Sequence, residues 1–231
     1  MSIATKICGV QEPEHAAHAS RAGADMVGVV LYPKSKRSVS LETALKIRDA
    51  LTGSCAGLVL VFVNQPLGDI LEFCTACRPE YVQLAGNESA RECVQVAKML
   101  DLPVIKSIHG FLAQGTPSEP WFLDAAGRYP KEDVALLCVD APVHGAWGGT
   151  GVSWEYKGAS VLSRSRRILL AGGLTSSNVG SAIRAVRPWG VDVSSGVETS
   201  GRKDISKVSD FLRAVRDSEA LIERDARSDD S

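Results

Sequence analysis

The sequence predicts a closed (β/α)8 barrel, the TIM barrel, folded as a single domain over residues 1–216. Eight short runs rich in Val, Ile and Leu recur near 3–8, 25–31, 56–63, 80–84, 103–108, 134–140, 167–171 and 189–194. Amphipathic segments separate most of them, so strand and helix alternate. The runs are continuously apolar rather than alternating, which marks parallel strands covered by helices. Eight strands with crossover helices favour a closed ring over an open doubly wound sheet. The Gly-x-Gly-x-x-Gly fingerprint expected after the first strand of a dinucleotide-binding sheet is missing. A length of 231 residues is large for one domain, but α/β barrels reach it as one unit.

The first strand ends in Lys6-Ile7-Cys8-Gly9, and a helical pattern follows from Glu12 to Ala22. Gly23, in Ala22-Gly23-Ala24-Asp25, stands where a helix C-cap is needed and leads into the second strand. Ser40 is placed to cap the helix Leu41–Leu51. After the third strand, Gly68–Cys77 reads as a helix, and after the fourth, Ser89–Leu100 does. The connection 109–133 after the fifth strand is long and contains Trp121, Phe122 and Leu123. It reads as a short helix over the barrel mouth or as a decorated surface loop. Ser177 or Asn178 opens the helix that runs to Val186 between the last two strands. Residues 217–231 carry six acidic and two basic residues and little to bury beyond Ile222, so this tail is expected to fray.

Composition excludes several function classes. A net charge of −1 supplies no bulk field for nucleic acid or a membrane surface, so partners are recognised locally. No run approaches the roughly 20 apolar residues of a membrane-spanning helix. The N-terminus enters a strand-like run at once, without a signal-peptide pattern, and the expected address is cytoplasmic. Cys74 and Cys77 form the one CxxC among six irregularly spaced cysteines. No second pair completes a zinc site, and three-residue spacing on a helix reads as two small buried hydrophobes. No metal is expected.

In such a barrel the loops at the C-terminal ends of the strands form the active face. That rule brings together Cys8, Arg37, Asp140, Gly148-Gly149-Thr150-Gly151, Gly172-Gly173 and Ser194-Ser195-Gly196. The glycines let backbone N–H groups close on an anion, and a short helix after Ser195 would add its N-terminal end. Loops seven and eight are also the habitual phosphate site of these barrels. A phosphate-bearing small molecule is therefore the expected substrate.

The remaining residues keep two readings each. Cys8 is a buried, inert side chain or a thiolate base beside Lys6. Asp140 ends an apolar strand and is a desolvated general acid or a loop cap. Arg37 is a bidentate carboxylate binder or part of a solvated basic loop. His109 and His144 fall in loops without an assignable partner.

Assembled in order, these pieces resemble the phosphoribosylanthranilate isomerase family of tryptophan biosynthesis. The likeness runs from about residue 4 to 216. It rests on Lys6-Ile7-Cys8-Gly9, Tyr32-Pro33-Lys34-Ser35 with Arg37, Val82-Gln83-Leu84, Gly148-Gly149-Thr150-Gly151, Leu170-Ala171-Gly172-Gly173-Leu174 and Gly190-Val191-Asp192-Val193-Ser194-Ser195-Gly196-Val197-Glu198. The resemblance implies a cofactor-free Amadori rearrangement with Asp140 as general acid and Cys8 as general base. It implies that Arg37 anchors the anthranilate carboxylate, and that Gly149, Gly173, Ser195 and Gly196 cradle the phosphate. Asp192 would touch the substrate, and the chain would act as a monomer or homodimer.

Two departures stand out. Ala85 occupies the place of the family's usual His, and Trp154-Glu155-Tyr156 replaces Phe-Asp-Trp after the GGTG loop. Two rivals remain beside this reading. One is a catalytically silent phosphate-binding barrel. The other is a dual-substrate sugar-phosphate isomerase that also serves histidine biosynthesis, although Cys8 stands where that family's first Asp would be.

Overall fold

The computed structural model describes residues 2–109, 124, 126–140 and 154–228. Its strands close in chain order into a parallel eight-stranded barrel. They are β1 (Ala4–Cys8), β2 (Met26–Val30), β3 (Gly57–Phe62), β4 (Tyr81–Leu84), β5 (Val104–His109), β6 (Val134–Asp140), β7 (Ile168–Ala171) and β8 (Gly190–Val193). All eight lie where the apolar runs place them, within one or two residues. His109, expected in a loop, is the last residue of β5, and His144 lies outside the described residues.

The helices around the barrel are α1 (Pro13–Arg21), α2 (Leu41–Ala50), α3 (Leu67–Cys77), α4 (Ala90–Leu100), α5 (Trp154–Ser163), α6 (Val179–Val186) and α7 (Ile205–Ser228). Local chemistry sets several of their ends. Pro13 opens α1, where its missing N–H costs nothing. Ser40 Oγ accepts from Thr43 N at 3.2 Å, so it caps α2 as its position predicts. Ser89 and Glu92 close a reciprocal capping box on α4. Gly23 follows α1 at φ +94°, where a Cβ would also meet the Arg216 guanidinium. Asn178 stands at the start of α6 but makes no cap; its side chain ties the preceding loop instead.

Burial divides into two layers. Met26, Val59, Val61, Ile105, Leu136, Cys138 and Leu169 fill the inside of the ring. The alternate residues of the same strands, such as Ile7, Val27, Leu58, Leu60 and Phe62, join helix residues in a larger core between sheet and helices. Strands buried on both faces must be apolar throughout, and every residue of β3 is buried. Cys74 and Cys77 lie on the buried face of α3, and burial pushes the Cys74 thiol up to about 12. These are inert packing groups.

Residues 217–228 continue helix α7 to Ser228. Its buried positions Val208, Phe211, Leu212, Val215 and Ser218 recur every three or four residues, and Ile3 N donates to Glu219. The segment after β8 is a single 3-10 turn, Ser195–Val197, that starts at Ser195 and not after it. A two-stranded hairpin follows, β9 (Glu198–Thr199) with β10 (Arg202–Lys203), that was not foreseen.

Candidate active site

The C-terminal ends of the strands surround a cavity of about 480 Å³. Cys8, at the end of β1, lines it together with Arg37 from the loop after β2 and Asp140 at the end of β6. Gly172, Gly173 and Leu174 follow β7 on its wall, and Ser194, Ser195 and Gly196 follow β8. Thus Cys8, Arg37, Asp140, Gly173, Asp192, Ser195 and Gly196 all line one cavity. Gly149, its GGTG loop and residues 110–123 and 125 of the long connection lie outside the described residues.

Barrel closure sets the floor of this cavity. Lys6 pairs in register with Asp192 across the β1–β8 seam. The Lys6 side chain is wholly buried, and its Nζ donates to both Asp192 carboxylate oxygens at 3.0 Å. Burial alone would strip an ammonium of its proton. Here Asp192, with Cys8 and Cys138 beyond it, holds the Lys6 pKa above its ordinary value. Cys138 Sγ approaches Asp192 Oδ2 at 3.5 Å. Asp192 therefore lines the cavity with its carboxylate already engaged from below.

Cys8 sits two residues beyond Lys6 on the same face of β1. Gly28 opposite makes the space: a Cβ there would lie 3.0 Å from Cys8 Sγ and 3.2 Å from Lys6 Cε. Burial pushes the Cys8 thiol up, and the nearby Lys6 charge pulls against this without cancelling it. Sequence reasoning missed Gly28. Its signal was a glycine inside the otherwise Val-rich run Met26-Val27-Gly28-Val29-Val30, which marks a close approach.

Arg37 is held rather than solvated. Val39 N donates to Val30 O at 3.0 Å, pinning the loop after β2 back onto its strand. The Arg37 stem lies against Gly9, whose φ is +74° and whose Cβ would come within 2.4 Å of Arg37 Cδ. Its Nε and one Nη donate to the two Glu198 oxygens at 2.7 and 2.9 Å, a bidentate pair. Lys203, returned by the β9–β10 hairpin, donates to Glu198 Oε1 at 2.6 Å and to Ser194 O at 3.0 Å. Ser194 Oγ in turn donates to Cys8 O at 3.0 Å. One polar chain thus runs from Arg37 to the Cys8 backbone. In the sequence Glu198 only closes a motif, and nothing marks Lys203, which only the hairpin brings here.

Burial opposes the Glu198 charge, yet its bonds and charge pairing with Arg37 and Lys203 hold its pKa down to about 2. A carboxylate lowered in the folded state stabilises the fold above its ordinary pKa and loses that contribution as pH falls through it. Glu198→Gln is therefore expected to lower the Tm at neutral pH, where it leaves Arg37 and Lys203 facing each other unpaired. The difference from wild type should narrow from about pH 4.5 to about pH 2 and then vanish. Thermal unfolding followed by circular dichroism across that range checks this, and a difference that does not narrow toward pH 2 would contradict it.

The glycine loops fit an anion by shape. Gly172 and Gly173 hold φ of +99° and +62°, which only glycine adopts freely. Asn178 fixes this turn, accepting from Thr175 N at 2.8 Å and donating to Gly173 O at 2.9 Å. Gly196 packs so tightly that a Cβ would lie 1.8 Å from Leu174 O. The opposite wall carries Gln83, Ala85 and Ser107. Gln83 Nε2 donates to Ser107 Oγ at 3.0 Å, and Ala85 presents a methyl group where the resemblance expects a His.

The chain has counterparts among known proteins. The family model described as N-(5'-phosphoribosyl)anthranilate (PRA) isomerase matches residues 5–214. An N-(5'-phosphoribosyl)anthranilate isomerase of Dehalococcoides mccartyi is 38% identical over 220 residues, covering 94% of this chain and 97% of its own. That of Roseiflexus castenholzii is 40% identical over 217 residues, covering 91% and 97%. The crystal structure of phosphoribosyl anthranilate isomerase from Thermotoga maritima superposes with a TM-score of 0.77 at 33% identity, covering 93% of this chain and 98% of its own. A further structure of such an enzyme, in complex with reduced 1-(o-carboxyphenylamino)-1-deoxyribulose 5-phosphate, gives a TM-score of 0.75 at 32% identity over 93% and 98% of the two chains. The chain belongs to the N-(5'-phosphoribosyl)anthranilate isomerase family.

Proposed function

We propose that the chain isomerises N-(5'-phosphoribosyl)anthranilate to 1-(2-carboxyphenylamino)-1-deoxyribulose 5-phosphate in tryptophan biosynthesis, with Asp140 as acid and Cys8 as base. The observation that carries this is the convergence of the Asp140 carboxyl, the Cys8 thiol, Arg37 and two glycine loops on a single cavity. Its volume of about 480 Å³ suits one small ligand.

Asp140 gives a proton to the furanose ring oxygen, whose bond to C1 then breaks. The nitrogen lone pair forms the C1=N bond of a protonated Schiff base. Cys8, as thiolate, removes the C2 proton; those electrons form C1=C2, and the C=N π electrons return to nitrogen. The enol then becomes the ketone as the C2 hydroxyl loses its proton and C1 gains one. If the Cys8 thiol supplies that proton and the Asp140 carboxylate receives the other, both groups return to their starting states. No cofactor enters these steps.

Positioning follows the same division. Arg37 has five N–H donors, of which two hold Glu198, leaving three for the anthranilate carboxylate. Backbone groups of Gly173, Ser195 and Gly196, with Gly149, receive the phosphate. The expected setting is the cytoplasm, as a monomer or homodimer; among the described residues no helix is long and apolar enough to cross a membrane.

The test follows loss of substrate fluorescence on freshly generated N-(5'-phosphoribosyl)anthranilate, with wild type beside Asp140→Ala. Wild type should convert it. Asp140→Ala should be slower by about 100- to 10,000-fold, the usual contribution of a positioned acid or base. Saturable binding by wild type without conversion would replace this reading with a silent phosphate-binding barrel.

A further inference from the structure

A lysine wholly inside a barrel needs a reason. Taking an ammonium out of water costs several kcal/mol, and a buried ion pair seldom stabilises a fold more than apolar residues of the same size. Lys6 and Asp192 nevertheless stand where the inside of the ring is otherwise filled by residues such as Met26, Val61, Ile105 and Leu169. Asp192 takes two of the three Lys6 N–H donors. The third has Cys8 beside it, on the same strand face, with Gly28 opening the space that both side chains share. The Lys6 charge favours the Cys8 anion, against the burial that opposes it.

We propose that Lys6 is a positioning residue for Cys8: anchored by Asp192, its ammonium hydrogen-bonds the sulfur as thiolate and keeps that anion aimed into the cavity. The proposal rests on the reading of Cys8 as the base. Asp192 has a double part in it, since it holds Lys6 in place and its own negative charge opposes a second anion nearby. The other groups around Cys8 are Cys138 and Asp140 on β6, Lys203 from the hairpin and Arg37 from the loop after β2. Of the cations among them, Arg37 and Lys203 already share Glu198. Lys6 stands on the strand face of Cys8 itself, two residues before it.

The opposite signs of the two charges make the test. Cys55, exposed and remote from the site, is first replaced by serine so that it does not react. The rate of Cys8 alkylation by iodoacetamide is then followed against pH, by mass spectrometry of the Cys8 peptide, in wild type, Lys6→Met, Asp192→Asn and the double variant. An opposite charge at this range moves a titration by about one to three units. The Lys6→Met midpoint should therefore rise by about one unit or more, and the Asp192→Asn midpoint should fall. The double variant removes both charges and leaves no buried charge unpaired, so it serves if Lys6→Met does not fold; its midpoint should lie above wild type. A purely structural Lys6 would change the Tm and leave these midpoints where they are, and that result overturns the proposal. The fluorescence assay separates the two claims: shifted midpoints with no conversion by wild type reject the base role alone, whereas conversion without shifts rejects the Lys6 role alone.

Discussion

Cys8→Ser is expected to lower kcat by about 100- to 10,000-fold while the phosphate-bearing product still binds with near wild-type affinity. Serine fills the same space between Lys6 and Gly28, so the cavity keeps its shape and the glycine loops are untouched. What changes is acidity: a hydroxyl there is not ionised at any pH the fold tolerates. Wild type should also show a distinctive pH profile. Burial pushes the Cys8 thiol up, so the slope that Cys8 titration gives to kcat/KM should lie in the alkaline range. The residual rate of the serine variant should lose that slope. Steady-state kinetics across pH, with product binding by calorimetry, reads both effects; unchanged turnover would remove Cys8 from the chemistry.

Gly196→Ala should act almost entirely on binding. Its new Cβ would lie 1.8 Å from Leu174 O and 2.9 Å from Leu174 C, both backbone atoms, whereas ordinary contact begins at 3.4 Å. No side chain can rotate away to relieve this, so the loops after β7 and β8 must part. Displacing a positioning group by about 1 Å costs on the order of 100-fold. The expected result is a loss of about that size in kcat/KM, carried mainly by KM, with product affinity falling in parallel. Gly68→Ala on α3 is the control, since nothing lies within 4 Å of its Cβ position. A Gly196→Ala enzyme with wild-type KM would show that the two loops do not hold the phosphate.

The fold was legible because a parallel strand covered on both faces has to be apolar throughout, and eight such runs with helices between them close in only one familiar way. Cys8, Asp140 and the glycine pairs were legible because they end those runs, where a barrel keeps its chemistry. What surrounds them was not. Lys6 and Asp192 are 186 positions apart, and nothing local to either announces the other. Lys203 reaches Glu198 only because an unforeseen hairpin turns it back. The contact of Glu219 with Ile3, at the opposite end of the chain, was hidden for the same reason.

The Lys6–Asp192 pair also bears on how the molecule reaches its native state. Until the last strand docks against the first, Lys6 has no counterion, and a ring closed without β8 would bury its ammonium alone at a cost of several kcal/mol. A ring lacking β8 is therefore disfavoured, and the β1–β8 seam supplies the missing counterion. A contact spanning this much sequence is slow to find. Synthesis from the N-terminus therefore leaves the thiol without its setting until the final quarter of the polypeptide has emerged.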